Sequence, residues 1–475
     1  MSSSPYGSAV APDTAEGQRT TTQILADYVA GAEFDDLPAR VVAAAKLYIL
    51  DSFGCQIGGA TMPHAQVALA LFGELGGVEE STILATGQRT THLFAAYVNG
   101  ALANALDFDD CYLDIGHPAA TIVPAALAMA ERLGSSGREF LNAVVVGYEV
   151  SLRICDSIRP TRERHRIGPT MATWQIFGAA VAAAKLLRLD REQMLWAFGH
   201  AGVSAPVPSR LKNGLYPEAR PFSQIKNNFG WAAMGGVLAA QLASRGLRGN
   251  RTMFDTDENF AVMAGSDRCD HARFTSGLGT EFLMPLTGIK QYGACRQTHG
   301  TLDAVSALME SHDFEPRDVA HVLVESTTGV HRNFDVRRPA HIVDAQFSIP
   351  PLVALTLAGH SPARRLAFDR LDEPLVQELI GKVEVGLDPE ADGIFAAERH
   401  IPATVTITLA DGRILRHTQR SPSGDPEHPI PPEQVRAKFR QLTAPIVSTE
   451  RAERILALVD RLDDVASVPE AVAAW

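Results

Sequence analysis

The chain is poor in the features that mark metal centres, nucleotide sites and disulfide scaffolds. It has five cysteines in 475 residues (Cys55, Cys111, Cys155, Cys269, Cys295), scattered, odd in number and never in a C-x-x-C pair. That spacing gives no support to a disulfide framework, a structural zinc site or an iron–sulfur cluster, and it predicts free thiols in a reducing cytoplasm. There is no H-E-x-x-H and no glycine-rich phosphate loop of the usual spacing. Lys/Arg blocks are missing too, and the net charge is -12, so nucleic acid is excluded as an expected partner. A membrane span is not expected either: the uncharged run from Asn227 to Ser244 carries two Asn, a Gln and three Gly, which suits a buried helix. Residues 1–18, rich in Ser, Thr, Pro and Gly, read as a disordered leader with neither a secretory apolar core nor Arg-rich amphipathic character.

What remains is ordinary globular composition, 46% hydrophobic and 21% charged, in a chain long enough for two domains. The first half alternates no strands with helices, which disfavours one continuous α/β sheet. Its apolar spacing instead predicts helices over 64–76, 91–106, 118–133, 138–156, 173–187, 191–203 and 229–245, and an earlier one opening at Leu37-Pro38 and stopped by Gly54. Beyond about residue 275 strands enter. His321–Thr327 and Lys382–Leu387 read as two of them, and Thr404–Thr418 as a hairpin turning at Asp411-Gly412. The expected fold is therefore mainly α: a large all-helical domain (19–274 with the closing helices of 426–475) and a smaller α+β domain acting as a lid (275–425).

The chemistry concentrates in Asp107–His117. Four carboxylates (Asp107, Asp109, Asp110, Asp114), the thiol of Cys111 and the imidazole of His117 fall within eleven residues between two apolar helical runs. Groups that dense are costly beside buried material unless paired or used. If the preceding helix runs on, Asp107 and Cys111 share a face. His117 is expected to cap the next helix with Pro118 at its first position, where the helix dipole favours the neutral ring that a general base needs. The bland alternative makes Asp109 or Asp110 the cap and His117 a solvated bystander. Lys226 stands just before an apolar helix, as a surface lysine, a carboxylate-binding cation or a proton donor to a leaving group. Lys290, Arg296 and His299 cluster at the start of the second domain, where Arg296 has the fork geometry for a carboxylate.

Taken with other segments, these residues resemble the MmgE/PrpD family, which includes 2-methylcitrate dehydratase, cis-aconitate decarboxylase and iminodisuccinate epimerase. The resemblance rests on Ala105-Leu-Asp-Phe-Asp-Asp with His117-Pro118, Phe177–Leu187, Lys226–Ala233, Lys290-x-Tyr-x-x-Cys-x-x-x-His299 and Asp344–Pro350. It implies a homodimer with an interdomain active site that needs no cofactor or metal. The family's site residues match Asp107, His117, Lys226 and His299. Cys111 stands where family decarboxylases commonly have Thr. A second His-Pro of many members is missing here: ungapped alignment puts Pro169-Thr170 at its place, one inserted residue would put Gly168-Pro169 there, and His165 lies nearby but out of register.

On that basis His117 is expected to be the principal acid/base, oriented by Asp107, with His299 as a second acid/base brought in from the other domain. Lys226, Arg296 and Lys290 are expected to hold carboxylates, and Cys111 and His165 to line the substrate. Dehydration of a hydroxy-tricarboxylate such as 2-methylcitrate leads the expectations, with decarboxylation or epimerisation of a similar small di- or tricarboxylate close behind. A carboxylate-binding homologue without catalysis is the reading from another class.

Overall fold

The computed structural model describes residues 19–113, 115–207 and 210–474; the expected leader (1–18) and Asp114 lie outside them. The helices of the first half are α1 (Thr21–Gly31), α2 (Ala39–Gly58), α3 (Pro63–Leu75), α4 (His92–Ala103), α5 (Ala119–Leu133), α6 (Gly137–Ser157), α7 (Arg162–Ile167), α8 (Ala172–Leu186), α9 (Arg191–Ser204), α10 (Phe229–Ser244) and α11 (Phe260–Met263). A two-residue pair, β1 (Ser81–Thr82) with β2 (Arg89–Thr90), interrupts them. In the second half follow α12 (His299–Ser311), β3 (Val319–Ser326), α13 (Thr328–Asn333), α14 (Ile342–Ala345), α15 (Ile349–Leu357) and α16 (Pro374–Lys382). Then come β4 (Val383–Leu387), α17 (Pro389–Glu398), β5 (Ala403–Leu409), β6 (Ile414–Gln419), α18 (Pro432–Thr443), α19 (Thr449–Asp460) and α20 (Val468–Ala473). The fold is mainly α with one small mixed sheet, in agreement with the sequence reading.

Small residues let the first-half helices approach closely. A Cβ on Gly236 of α10 would come 2.6 Å from the Ala180 nitrogen of α8, so nothing larger than glycine fits that crossing. Gly54, expected as a helix stop, lies inside α2, which runs on to Gly58. Its Cβ position faces the Phe439 ring of α18 at 3.2 Å, so this glycine serves packing. The stretch Ala39–Thr61 is apolar and long enough to cross a membrane, and its most apolar 18-residue window is 72% buried inside the protein.

The sheet has the order β4-β3-β5-β6, with β3 and β4 parallel and the other pairs antiparallel. The hairpin β5–β6 turns where Asp411-Gly412 predicted it. Two apolar clusters divide the interior. One is built from the helices of the first half together with Val435, Phe439 and Ile455 of α18 and α19; the other fills the space between the sheet, α12, α15 and α16. The acidic segment passes between them: Ala105, Leu106 and Phe108 belong to the second cluster, Tyr112, Ile115 and Ala119 to the first. Its polar groups therefore sit at the seam of two cores. All five cysteines are free thiols.

Candidate active site

Helix α4 stops at Ala103, so Asp107 and Cys111 do not share a helical face. The chain instead folds into a tight turn in which Asp107 takes a left-handed φ of 52°, leaving its carbonyls pointing outward without helical partners. Side chains from distant elements take them up. Asn104 O accepts from Lys226 Nζ at 2.6 Å, Leu106 O from Gln346 Nε2 at 2.6 Å, Asp107 O from Lys290 Nζ at 3.0 Å and Phe108 O from Lys438 Nζ at 2.6 Å. The Asp110 carbonyl accepts from His117 Nδ1 at 2.8 Å.

That last bond fixes the histidine. A carbonyl only accepts, so Nδ1 must donate, which leaves the Nε2 lone pair of the neutral ring to take a proton and the imidazolium to return it. Nε2 has no hydrogen-bond partner among the described residues. Asp109 Oδ2 lies 3.4 Å from Nδ1, placed to stabilise an imidazolium, and the Phe229 ring meets the imidazole edge-on at 5.7 Å. The expected orienter, Asp107, does not perform this role. Helix α5 begins at Ala119, one residue later than expected, and its free N–H is capped by Asp110 Oδ1 at 3.1 Å while Pro118 occupies the N-cap position. His117 is thus neither the cap nor a solvated bystander; it is 6% exposed.

Asp107 joins two lysines. Its Oδ1 lies 3.5 Å from Lys226 Nζ and 3.3 Å from Lys290 Nζ, and all three side chains are buried. Burial alone would raise the Asp107 carboxyl, but the two ammonium groups, helped by His117, outweigh it and hold it well below the usual carboxylate range. The two lysines differ. Burial lowers Lys226 against the pull of Asp107 and Asp109, whereas for Lys290 the same carboxylates overcome burial and raise it. Burial and the Asp109 charge push the Asp110 carboxyl well above the usual carboxylate range, and its Oδ2 accepts from the Tyr148 hydroxyl at 2.8 Å. Against burial, His117 and Lys290 hold the Asp109 carboxyl below its usual value, and it is the carboxylate next to His117.

The remaining expectations divide. His299 opens α12, fully buried, with Nε2 3.1 Å from Ala294 O and no partner for Nδ1. Burial, then the Arg296 and Lys290 charges, push it far below the ordinary histidine value, so it is neutral. One guanidinium nitrogen of Arg296 pairs with Asp425. Cys111 is buried, its Sγ 2.9 Å from Leu113 O, and its backbone bridges to Gly288 beside the Lys290 segment. His165 lies on α7, near Arg210 and Arg399, whose charges with burial push it well below the ordinary histidine value.

Three side chains went unnoticed in the sequence. Lys438 and Asp51 form a buried pair at 2.6 Å beneath the turn. Each is a lone charge on an otherwise apolar helical stripe, and that signal was available. His64, at the start of α3, is pushed down to about 4 by burial and then by Lys226. No periodicity points to it. The Lys226 loop is itself clasped to the second lobe. Arg220 reaches Asp344 Oδ1 at 2.5 Å and Phe347 O at 3.0 Å, and Phe222 stacks on Phe347 at 4.0 Å between ring centroids.

A helical lobe and a mixed α+β lobe thus enclose a buried set of carboxylates, lysines and histidines at their seam. The family follows from comparison. The MmgE/PrpD N-terminal domain matches residues 23–270 and the MmgE/PrpD C-terminal domain residues 292–464, and the chain belongs to the MmgE/PrpD family. Among its relatives, a cis-aconitate decarboxylase of Homo sapiens is 25% identical over 94% of this chain and 92% of its own length. One from Aspergillus terreus (strain NIH 2624 / FGSC A1156) is 26% identical over 92% of each chain. A cis-aconitate decarboxylase-like protein of Aspergillus oryzae is 25% identical over 98% of each. The expectation of a lyase stands with this membership.

Proposed function

We propose that this chain is a lyase acting on a small di- or tricarboxylate, and that decarboxylation of cis-aconitate or a close analogue is its reaction. The observation that carries the reading is the proton-carrying pair at the seam: His117 with Nδ1 fixed on Asp110 O, and Lys226 beside Asp107. The names of the relatives favour decarboxylation over dehydration of 2-methylcitrate, which ranked first from sequence and now stands second.

In decarboxylation the C–C bond to one carboxylate breaks and CO2 leaves. The electron pair passes into the conjugated double bond and the next carboxylate, and a proton is then added at carbon. The site must therefore hold anionic oxygens and deliver one proton. Lys290, whose ammonium is secured by its carboxylate neighbours, suits the first task. His117 suits the second, because Asp109 stabilises the charged ring and Asp110 O holds its orientation. Lys226, whose ammonium is weakened by burial, is the second proton carrier. The same groups would serve a dehydration, in which a base removes a carbon-bound proton and an acid protonates the departing hydroxyl. Groups so deeply buried are reached only when the two lobes part, so substrate entry and product release require an opening motion.

The test is turnover of cis-aconitate, 2-methylcitrate and iminodisuccinate followed by mass spectrometry of products. Release of CO2 from cis-aconitate is the expected result, and product from 2-methylcitrate alone would replace decarboxylation with dehydration. Because burial lowers Lys226, the alkaline limb of the kcat profile is expected below the ordinary lysine value of about 10.4. Above that limb the ammonium is lost and rate falls. Lys226→Arg, which keeps its proton, is expected to remove the limb at a lower plateau; an unchanged limb would assign it to another group.

A further inference from the structure

We infer that Lys438 and Asp51 form a positioning device for this site, a buried cation and its counter-ion that hold the two halves of the active site in register. The inference rests on the reading that Asp107, His117, Lys226 and Lys290 form that site.

Lys438 lies on α18 in the stripe of Val435, Phe439 and Leu442, where an apolar side chain would be expected. Its ammonium has three donors and meets three oxygens: Asp51 Oδ1 of α2 at 2.6 Å, Phe108 O at 2.6 Å and Lys290 O at 3.0 Å. The Phe108 ring packs against the same ammonium at 4.2 Å. The two carbonyls are not arbitrary. Phe108 stands between Asp107 and Asp109, and Lys290 is the residue whose own ammonium reaches Asp107. One side chain thus ties the backbone of the acidic turn to the backbone of the facing strand-like segment, and Asp51 anchors it to the rigid helix beneath.

Stability alone does not account for the pair. A buried ion pair gives back most of its attraction in desolvation, and an apolar pair of similar volume is often as stable or more so. What an apolar pair does not supply is a fixed distance between two carbonyl-bearing loops from different parts of the chain. Misplacing catalytic groups by about 1 Å can cost about 10²-fold in rate. Lys438 touches no reacting atom in this account and acts through Asp107, Asp109 and Lys290.

Removing Lys438 alone would leave Asp51 buried and unpaired, so the decisive variant removes both charges: Asp51→Leu with Lys438→Met. The double variant is expected to melt within a few degrees of the wild type, yet to lose at least about 10-fold in kcat on cis-aconitate with a smaller change in KM. Lys438→Arg, which keeps the charge and several donors, is expected to recover part of that loss. Crystal structures of wild type and double variant give a second readout that needs no substrate. They should show residues 107–109 displaced relative to residue 290 by about 0.5 Å or more. A stable double variant with full kcat, or one whose two segments keep their places, would overturn the inference. If the wild type turns over none of the three acids, the proposed reaction fails and the structural comparison alone decides this one.

Discussion

Replacing His117 with asparagine is expected to lower kcat by about 10²–10⁴-fold, the range for loss of a positioned acid/base, with little change in melting temperature. Asparagine is close in size, and its amide N–H can still donate to the Asp110 carbonyl that now receives Nδ1 at 2.8 Å. The helix start is unaffected, because Asp110 Oδ1 rather than His117 caps Ala119. What disappears is the nitrogen that accepts and returns a proton. Steady-state kinetics on the active substrate, with circular dichroism melts of both proteins, would decide the matter. A folded variant that keeps wild-type turnover would remove His117 from the mechanism and shift attention to Lys226.

Asp107→Asn should be costly in both stability and rate. The carboxylate lies between two buried ammonium groups at 3.5 and 3.3 Å. Neutralising it removes the counter-ion that the two buried ammonium groups share, and breaking a buried pair in this way costs about 3–5 kcal/mol. Urea denaturation should report that loss, and kcat should fall because both lysines lose the carboxylate that supports their charge, while their bonds to Asn104 O and Asp107 O remain. The pH dependence has a definite sign. A carboxyl held below its unfolded value of about 3.9 contributes stability that is fully present above that value. The contribution is lost as pH falls through the lower folded value. Wild type should therefore lose stability on acidification below about pH 4, and the variant should lose less over the same range. Equal acid sensitivity in the two proteins would show that Asp107 is not the group held down by the lysines.

Residue types point to the polar segment at the seam, while its wiring is not legible from them. The density of carboxylates before His117-Pro118 pointed to a segment that the fold buries at the seam, and Lys226, directly before an apolar helix, and Lys290, at the start of the second half, both come to Asp107. The sequence could not assign the carboxylates. Asp107, Asp109 and Asp110 lie within four residues in a turn with a left-handed backbone, where neither period 3.6 nor period 2 says which way a side chain points. The residue order suggests Asp107 as the partner of the histidine, whereas in the fold it meets the lysines, and Asp109 and the Asp110 carbonyl hold the ring. The partner of Arg296 is Asp425, more than a hundred residues further along. Gly54 reads as a helix stop from sequence because its use depends on the Phe439 ring, contributed by the other end of the chain.

Apolar periodicity, turn residues and composition act over a few residues, and these by themselves determined most of the longer helices of the first half, the β5–β6 hairpin and the mainly helical class. Which charge meets which was decided only by tertiary structure. Ion pairs such as Lys438–Asp51, the clasp of Arg220 on Asp344 and the sharing of Asp107 by two lysines join positions far apart in the chain. They are set by how two apolar cores close around one polar seam. No local rule carries that information, because the energy that selects each partner comes from burying charges that must then find one another.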